Sequence, residues 1–494
     1  MTDLPIALYF AKDVKAIDSL ALTHISITGY QLMTRAAQSA LIVLQERWPN
    51  AKTLAVLCGP GNNGGDGLVL ARLAKAQGLS VNVYSVGEFS ENASPEAKQA
   101  RSDWLATDDE IIQFRGQAIQ ADVVVDALLG TGSHFPIQAH FQDAIKTINN
   151  SKCPVLSIDL PSGLNADTGA YEDAVKADVT LTFVAMKIGL IMGNALDVVG
   201  ELVFDNLGVS ASIFTQIKPC AWRIEYSDVC HALKPRRLSQ HKGDNGHLCI
   251  IGGGQTGYSG AVCLAGESAL RAGAGLVSAV VAKDSLMLLA RAPAELMCYG
   301  LNHPKEMQTL LMAATVVILG PGLSQNSWGK KFFQFSVNSN KPMIVDADGL
   351  NWLAKYPQKR ENWILTPHPG EAARLLNVST KEIQQDRVSA AKALKQKYGG
   401  VIVLKGAGTI VVAENGDLAI NGGGFPALAT GGTGDILAGL MGSLVAQKLS
   451  LSSAATLAVS VHTAAAALES TMGERGMLAS DLFLHIRNLL NPQQ

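Results

Sequence analysis

Seven cysteines are scattered through this chain at positions 58, 153, 220, 230, 249, 263 and 298, with no C-x-x-C pair among them. An odd, unpatterned set excludes a disulfide framework or a zinc site and suits a reducing compartment, with most thiols buried. Charge of one sign is lacking too. A net charge of -2 leaves no electrostatic footprint for nucleic acid or a membrane surface. No uncharged apolar run reaches the roughly 18 residues a membrane span needs, and the Ala-rich stretch from Ser452 to Leu468 reads as a buried helix. The N-terminus lacks the basic-then-apolar pattern of a signal peptide, so a cytoplasmic location is expected. A P-loop is missing as well: Gly329-Lys330-Lys331 has the wrong spacing and no following Ser or Thr.

What is there is size, apolar content and glycine. At 494 residues the chain exceeds what one core usually supports, and 48% hydrophobic against 17% charged residues fits well-packed domains. The 48 glycines cluster after apolar runs, where they can shape binding loops. The first ~50 residues read as helix, from an apolar stripe at Val14, Ile17, Leu20 and Leu22 and another from Leu32 to Leu44. Short apolar runs then alternate with longer periodic segments, the pattern of parallel sheets flanked by helices. The strand candidates are Thr53–Cys58, Ser80–Val86, Asp122–Val125, Val155–Ile158 and Val179–Val184, with Leu202–Phe204 as a short edge strand. Ser227-Asp228 looks like an N-cap for a brief helix. The alternation restarts at His247–Ile251 and continues through Leu276–Val281, Val316–Leu319, Met343–Val345, Trp363–Leu365, Val401–Leu404 and Ile410–Val412. The expected division is 1–225 and 226–494.

In the first half, Gly59-Pro60-Gly61-Asn62-Asn63-Gly64 matches G-x-G-x-x-G between a strand and an expected helix Leu68–Ala76. A hydride-transferring dehydrogenase would carry such a loop, but Gly252–Gly257 matches it too, so the pattern alone is weak. The extension Asn62-Asn63-Gly64-Gly65-Asp66-Gly67 adds side-chain oxygens that a simple pyrophosphate cradle does not need. Asp126 in Val125–Gly132 and Asp159 in Ile158–Asn165 load two further strand ends. Any one of these aspartates is as well explained as a turn or cap. Three at successive carboxyl ends of strands favour a site.

In the second half, Ala429-Thr430-Gly431-Gly432-Thr433-Gly434-Asp435 opens a helical run. Unpaired N–H groups and the helix dipole make such a start an anion site. A carboxylate there is misplaced unless it takes a proton from a hydroxyl attacking the bound phosphorus. Neighbouring strand ends carry Gly257–Ala261, Gly320–Leu323, Asp346–Leu350, Thr366–Glu371 and Lys405–Thr409. His368, between two prolines, is held rigidly and reads as a binding residue, or as a structural turn histidine. Lys405-Gly406-Ala407-Gly408-Thr409 is either a nucleotide loop or a hairpin turn.

These segments in order resemble two known families. NNGGDG, VDALLGTG, IDLPSGLNADTG and Thr182–Lys187 are similar to the NAD(P)H-hydrate epimerase domain over roughly residues 10–220. GYSGA, Leu270–Gly275, GPGL, DADGL, TPHPGE, KGAGT and GGTGD resemble the ribokinase-like NAD(P)H-hydrate dehydratase domain over roughly 226–491. The resemblance implies an α/β chain, a Rossmann-like three-layer domain followed by a ribokinase-like one. It implies repair of hydrated nicotinamide cofactors, with R and S hydrates (NADHX, NADPHX) interconverted by the first domain. The second would dehydrate the S hydrate at the expense of ADP. Carried over by motif, Asn62, Asn63, Gly64, Gly65, Asp66, Gly130, Thr131, Gly132, Ser133, His134, Phe135, Pro136 and Asp159 line the hydrate site. Asp159 is then the proton-exchanging carboxylate, with Lys187 a second candidate or a plain ion-pair lysine. Asn63, Asp126 and Ser162 would hold potassium. In the second domain Ala261, Gly322, His368 and Asp435 would contact the hydrate, and Lys405, Gly406, Ala407, Gly408, Thr409 and Gly434 the nucleotide. Asp435 would be the base and magnesium the metal. Expected partners are these small molecules and further copies of the chain. Two segments depart from the family patterns, Leu32–Ala37 and Asn421–Ala427. A kinase of a small hydroxylated metabolite on the same second fold, fused to a nucleotide-binding domain, is the competing enzyme reading. A scaffold or RNA-associated module built on the first domain is the non-enzyme one.

Overall fold

The computed structural model describes residues 4–25, 27–89, 93–132 and 135–492. Its contacts fall into two compact units, Met1–Trp222 and Arg223–Gln494.

The first unit is built on seven parallel strands in the order Ile111–Gln113, Ser80–Ser85, Thr53–Cys58, Val123–Ala127, Val155–Ile158, Val179–Phe183, Glu201–Asp205. Side chains alternate between two faces, each of which has its own core. Leu54, Val56, Val123 and Val125 join one cluster with Ala36, Ala40 and Leu44; Ala55, Leu57 and Val124 join another with Phe141, Ile145 and Ile148. Helices on both faces explain why residues 54–58 and 123–125 of the two central strands are uninterrupted apolar runs in the sequence. Strand order reverses between Thr53–Cys58 and Val123–Ala127, which opens a crevice beyond their carboxyl ends.

Three local expectations change. The N-terminal helical region is preceded by a strand, Ala7–Tyr9, and divided into Ala11–Ile25 and Gly29–Arg47, the latter started by a Thr28–Gln31 capping box. Leu8 and Tyr9 pair with Met186 and Lys187, which fixes the backbone of that lysine. The helix expected at Leu68 begins at Asn62 instead, so the NNGGDG segment is helical. Gly64 permits this: a Cβ there would stand 1.9 Å from the Gly59 carbonyl oxygen.

The second unit carries strands Leu296–Leu301, Leu276–Ala282, His247–Ile251, Val316–Leu319, Met343–Val345, Trp363–Leu365 and Val401–Leu404 in parallel, then Thr409–Val412 and Leu418–Asn421 antiparallel. Leu296–Leu301 and Leu418–Asn421 escaped the sequence reading because half-buried Cys298, Tyr299 and Gly300 and the mixed LAIN run lack a strong apolar pattern. In the brief helix Tyr226–Val229 the cap is Glu225, and Asp228 lies inside, accepting from the Glu225 N–H. Helix Leu451–Ser470 is long and apolar enough by composition to cross a membrane, yet Ala454, Leu457, Ala458, Val461 and Ala465 pack into the core. Helix Thr433–Ala446 is buried from Ile436 onward, leaving its first turn as the polar end.

Candidate active sites

In the first unit a cavity of about 540 Å³ lies at the strand-order reversal. Asn62, Asn63 and Asp66 line it from the start of helix Asn62–Ala76, Gly130, Thr131 and Gly132 from the next strand end, and Asp159 and Lys187 from beyond. Asp159 has a left-handed backbone (φ 70°), which turns its side chain out of the strand direction. Lys187 is almost wholly buried and bonds Asp159, the Thr182 hydroxyl (2.9 Å) and the Phe183 carbonyl (3.0 Å). All three ammonium protons are thereby used, so Lys187 holds Asp159 in place and has none left for a ligand. Asp66 lies deeper. Burial, with the charges of Asp159 and Asp18, pushes its carboxyl well above the ordinary range.

Below the cavity, Asp126 accepts from Ser157 Oγ (2.8 Å), Ser162 N (2.8 Å) and Ser162 Oγ (2.5 Å). Ser162 Oγ accepts in turn from Leu129 N at 2.8 Å, which ties two loops together. Asn63 is buried with both amide atoms unpartnered among the described residues. A buried amide is costly in that state and invites a ligand.

In the second unit the helix N-cap is Gly432 at φ 97°, a conformation other residues rarely adopt. The first intrahelical bond runs from Ile436 N to Gly432 O (3.1 Å), so the N–H groups of Thr433, Gly434 and Asp435 have no acceptor within the helix. Thr433 Oγ1 donates to the helix approach, at the carbonyls of Leu428 and Thr430 (3.0 Å each). The buried His462, its pKa lowered to about 4 by desolvation, is neutral and donates from Nε2 to Thr433 O at 3.0 Å.

Beside this turn stands an ion network. Lys405 Nζ is 2.7 Å from Asp346 Oδ1, which also accepts from Thr366 Oγ1 (2.8 Å), and 4.0 Å from Glu371 Oε2. A Cβ on Gly434 would lie 3.3 Å from the same ammonium. Burial, then the Asp346 charge, pushes the Asp435 carboxyl up to about 7 against the pull of Lys405. Glu371 is raised as well, by burial. His368 caps helix Pro369–Leu376, its Nδ1 accepting from Gly370 N (3.0 Å) while Glu371 accepts from its backbone N–H (2.8 Å). The Lys405–Thr409 segment is a hairpin turn, as Thr409–Val412 returns antiparallel to Val401–Leu404. It is gripped from outside: the buried Arg387 guanidinium donates to the carbonyls of Leu404, Lys405 and Gly408 at 3.3, 3.1 and 3.4 Å.

Comparison with known proteins separates the same two parts. Residues 29–189 match the family described as YjeF-related protein N-terminus, and residues 248–488 match NAD(P)H-hydrate dehydratase. The bifunctional NAD(P)H-hydrate repair enzyme of Coxiella burnetii is 43% identical over 98% of this chain and 99% of its own. That of Escherichia coli is 44% identical over 99% of this chain and 95% of its own. The chain belongs to the bifunctional NAD(P)H-hydrate repair enzymes. A Bacillus subtilis structure described as an ADP/ATP-dependent NAD(P)H-hydrate dehydratase co-crystallized with ATP/Mg2+ is 30% identical, covering 53% of this chain and 95% of that one, with a TM-score of 0.48.

Within this repair enzyme, epimerase and dehydratase domains follow one another on α/β folds, Rossmann-like and then ribokinase-like. Asn62, Asn63, Asp66, Gly130–Gly132 and Asp159 come together around the cavity. Gly64 and Gly65 lie buried under it, Phe135 and Pro136 are exposed away from its lining, and Ser133 and His134 fall outside the described residues. Lys405, Gly434, Asp435 and His368 gather in the dehydratase domain, while Ala261 lies in the first turn of helix Ser259–Arg271 and Gly322 follows strand Val316–Leu319, close to the Tyr258 carbonyl. Sequence reasoning missed Asp18, which lines the cavity from helix Ala11–Ile25, and His462 and Arg387, which support the second site from the core side. Asp18 belongs to no glycine-rich loop. The other two are single polar residues inside helical patterns, and their burial is the only signal they give.

Proposed function

We propose that residues 1–225 interconvert the R and S hydrates of NADH and NADPH, and that residues 226–494 dehydrate the S hydrate using ADP. One observation carries the second half of this reading: Asp435, raised to about 7, stands at a helix start whose N–H groups lack intrahelical acceptors, beside Lys405. A carboxylate near its pKa at neutral pH is suited to proton removal, and amides with a lysine suit a transferring phosphoryl group.

Asp435 takes the proton of the substrate hydroxyl as its oxygen attacks the β-phosphorus of ADP, and AMP leaves. Hydroxide, a poor leaving group, has become phosphate. The ring nitrogen's lone pair expels phosphate, and loss of a proton from the neighbouring ring carbon restores the double bond of NAD(P)H. Lys405 and the Lys405–Thr409 turn hold the nucleotide; Ala261, Gly322 and His368 contact the hydrate. Asp346, Glu371 and Asp435 set three carboxylates against one ammonium, a shortage of positive charge that fits a magnesium ion. Asp346 and Glu371 would hold it, and it would neutralise phosphate charge.

In the epimerase domain Asp159, held by Lys187, exchanges the hydroxyl proton and stabilises the cationic ring formed when the C–O bond opens. Potassium fits at Asn63, whose amide oxygen is buried and unpartnered, with oxygens of Asp126 and Ser162. It would supply a fixed positive charge and order the two loops. We place the enzyme in the cytoplasm, as a homo-oligomer, on the seven free thiols and the family reading.

The test mixes R and S hydrates with ADP and follows NADH absorbance for wild type and Asp435→Asn. The variant is expected to epimerise without dehydrating. Equal NADH recovery removes Asp435 from the base role. A stable phosphorylated product with no NADH regained supports the kinase reading instead.

A further inference from the structure

The epimerase cavity contains an acid that no motif singles out. Asp18 lines it together with Asp66, Asp159 and Lys187, and its Oδ1 is shielded from solvent with no hydrogen-bond partner among the described residues. A carboxyl oxygen withheld from water without a partner is costly when ionised, and tolerable when the group carries a proton or meets a ligand. Lys187 is not that partner, since Asp159, Thr182 and Phe183 occupy its three protons. Of the three aspartates that line the cavity, Asp159 is ion-paired with Lys187, whereas Asp18 has no ion pair among the described residues.

Resting on the epimerase reading above, we propose that Asp18 is a further catalytic residue, the general acid that protonates the departing hydroxyl while Asp159 receives the proton of the incoming water. Asp18 gives its proton to the hydroxyl oxygen. The C–O bond breaks with its electron pair on oxygen, water leaves, and the ring nitrogen's lone pair forms the C=N bond. Water adds to the opposite face of the flattened carbon, the C=N pair returns to nitrogen, and the surplus proton passes to Asp159. Solvent restores the proton to Asp18 and takes up the one on Asp159. A carboxylate held by an ion pair beside a carboxyl oxygen without a partner suits base and acid roles respectively. Burial, against Lys187 and with Asp159, lifts the Asp18 carboxyl to about 6, and Lys15 pulls the other way. Asp66, the remaining carboxyl in the cluster, also senses the Asp18 charge.

The experiment uses the full chain. Interconversion of separated R and S hydrates is followed chromatographically without ADP, from pH 5 to 9, for wild type, Asp18→Asn and Asp159→Asn. Dehydration of S hydrate with ADP by the same preparations reports folding of the chain. Asp18→Asn is expected to slow interconversion by about 100-fold or more, the usual worth of a general acid, while dehydration is unchanged. Wild-type interconversion should fall as pH rises above about 6, because the acid must be protonated, and the variant should lose that fall. Interconversion by Asp18→Asn at the wild-type rate, with the fall retained, overturns the proposal. If the variant does not fold, a wild-type profile that keeps rising through neutral pH overturns it. Loss of activity in Asp159→Asn alone overturns the Asp18 role and leaves the epimerase reading standing. Absence of any interconversion by wild type overturns both.

Discussion

Lys405 Nζ is bonded to Asp346 Oδ1 at 2.7 Å, and that ion pair lies against the helix start that carries Asp435. The pair acts on the proposed base in opposite directions: Asp346 raises the proton affinity of Asp435 and Lys405 lowers it. Lys405→Met should therefore move the acid limb of the dehydration profile above its wild-type position near 7 and weaken nucleotide binding. Rate–pH profiles at saturating ADP, with KM for ADP measured alongside, check both. A limb that stays in place would mean that the lysine charge does not reach Asp435.

Dehydration by wild type should rise with pH through about 7, because the base works only when ionised. Asp435→Asn should abolish that limb and lower the rate by about 10³-fold, within the usual range for losing a general base. R and S hydrates should still interconvert in the same preparation, as the epimerase groups belong to the other unit.

The same substitution should stabilise the dehydratase domain. The folded-state pKa of Asp435, about 7, lies above its ordinary value of 3.8, so the stability linked to its protonated form is complete below the ordinary range and lost as pH rises through 7. At about 1.4 kcal/mol per pH unit, Asp435→Asn gains roughly 4 kcal/mol at pH 8 and under about 2 at pH 5. Thermal melting of both proteins at the two pH values checks the difference. A gain independent of pH would contradict it.

Gly64→Ala should destabilise the epimerase domain by about 1–3 kcal/mol, as overpacking against backbone does. The added Cβ meets the Gly59 carbonyl oxygen at 1.9 Å, and a carbonyl in a tight loop has little room to retreat. Melting should show the loss in that domain alone, with S-hydrate dehydration kept.

The fold was legible where burial imposed a simple pattern. Strands such as Val316–Leu319 and Val401–Leu404 are apolar at each position because helices cover both faces of a parallel sheet. Ile111–Gln113 and Leu296–Leu301, partly exposed at sheet edges, carry no such run. At the sites, the glycine-rich loops announced Asn63, Asp159 and Asp435, since their chemistry is local in sequence. Asp18 reaches the cavity from a helix that reads as an ordinary amphipathic segment. The boundary at Asn62 was misplaced for a related reason: helix propensity counts each glycine against a helix, while close approach to Gly59 requires one.

Arg387 holds the Lys405–Thr409 turn through main-chain oxygens only. The shape of the turn is thus imposed from a neighbouring helix and from Thr409, whose Oγ1 donates to Gly406 O at 2.9 Å, while the side chain of Ala407 takes no part in that grip. On the proposed nucleotide role of the turn, substitution of Ala407 is free to retune which nucleotide is accepted without rebuilding the backbone, which makes that one position a place where donor preference can drift between related enzymes.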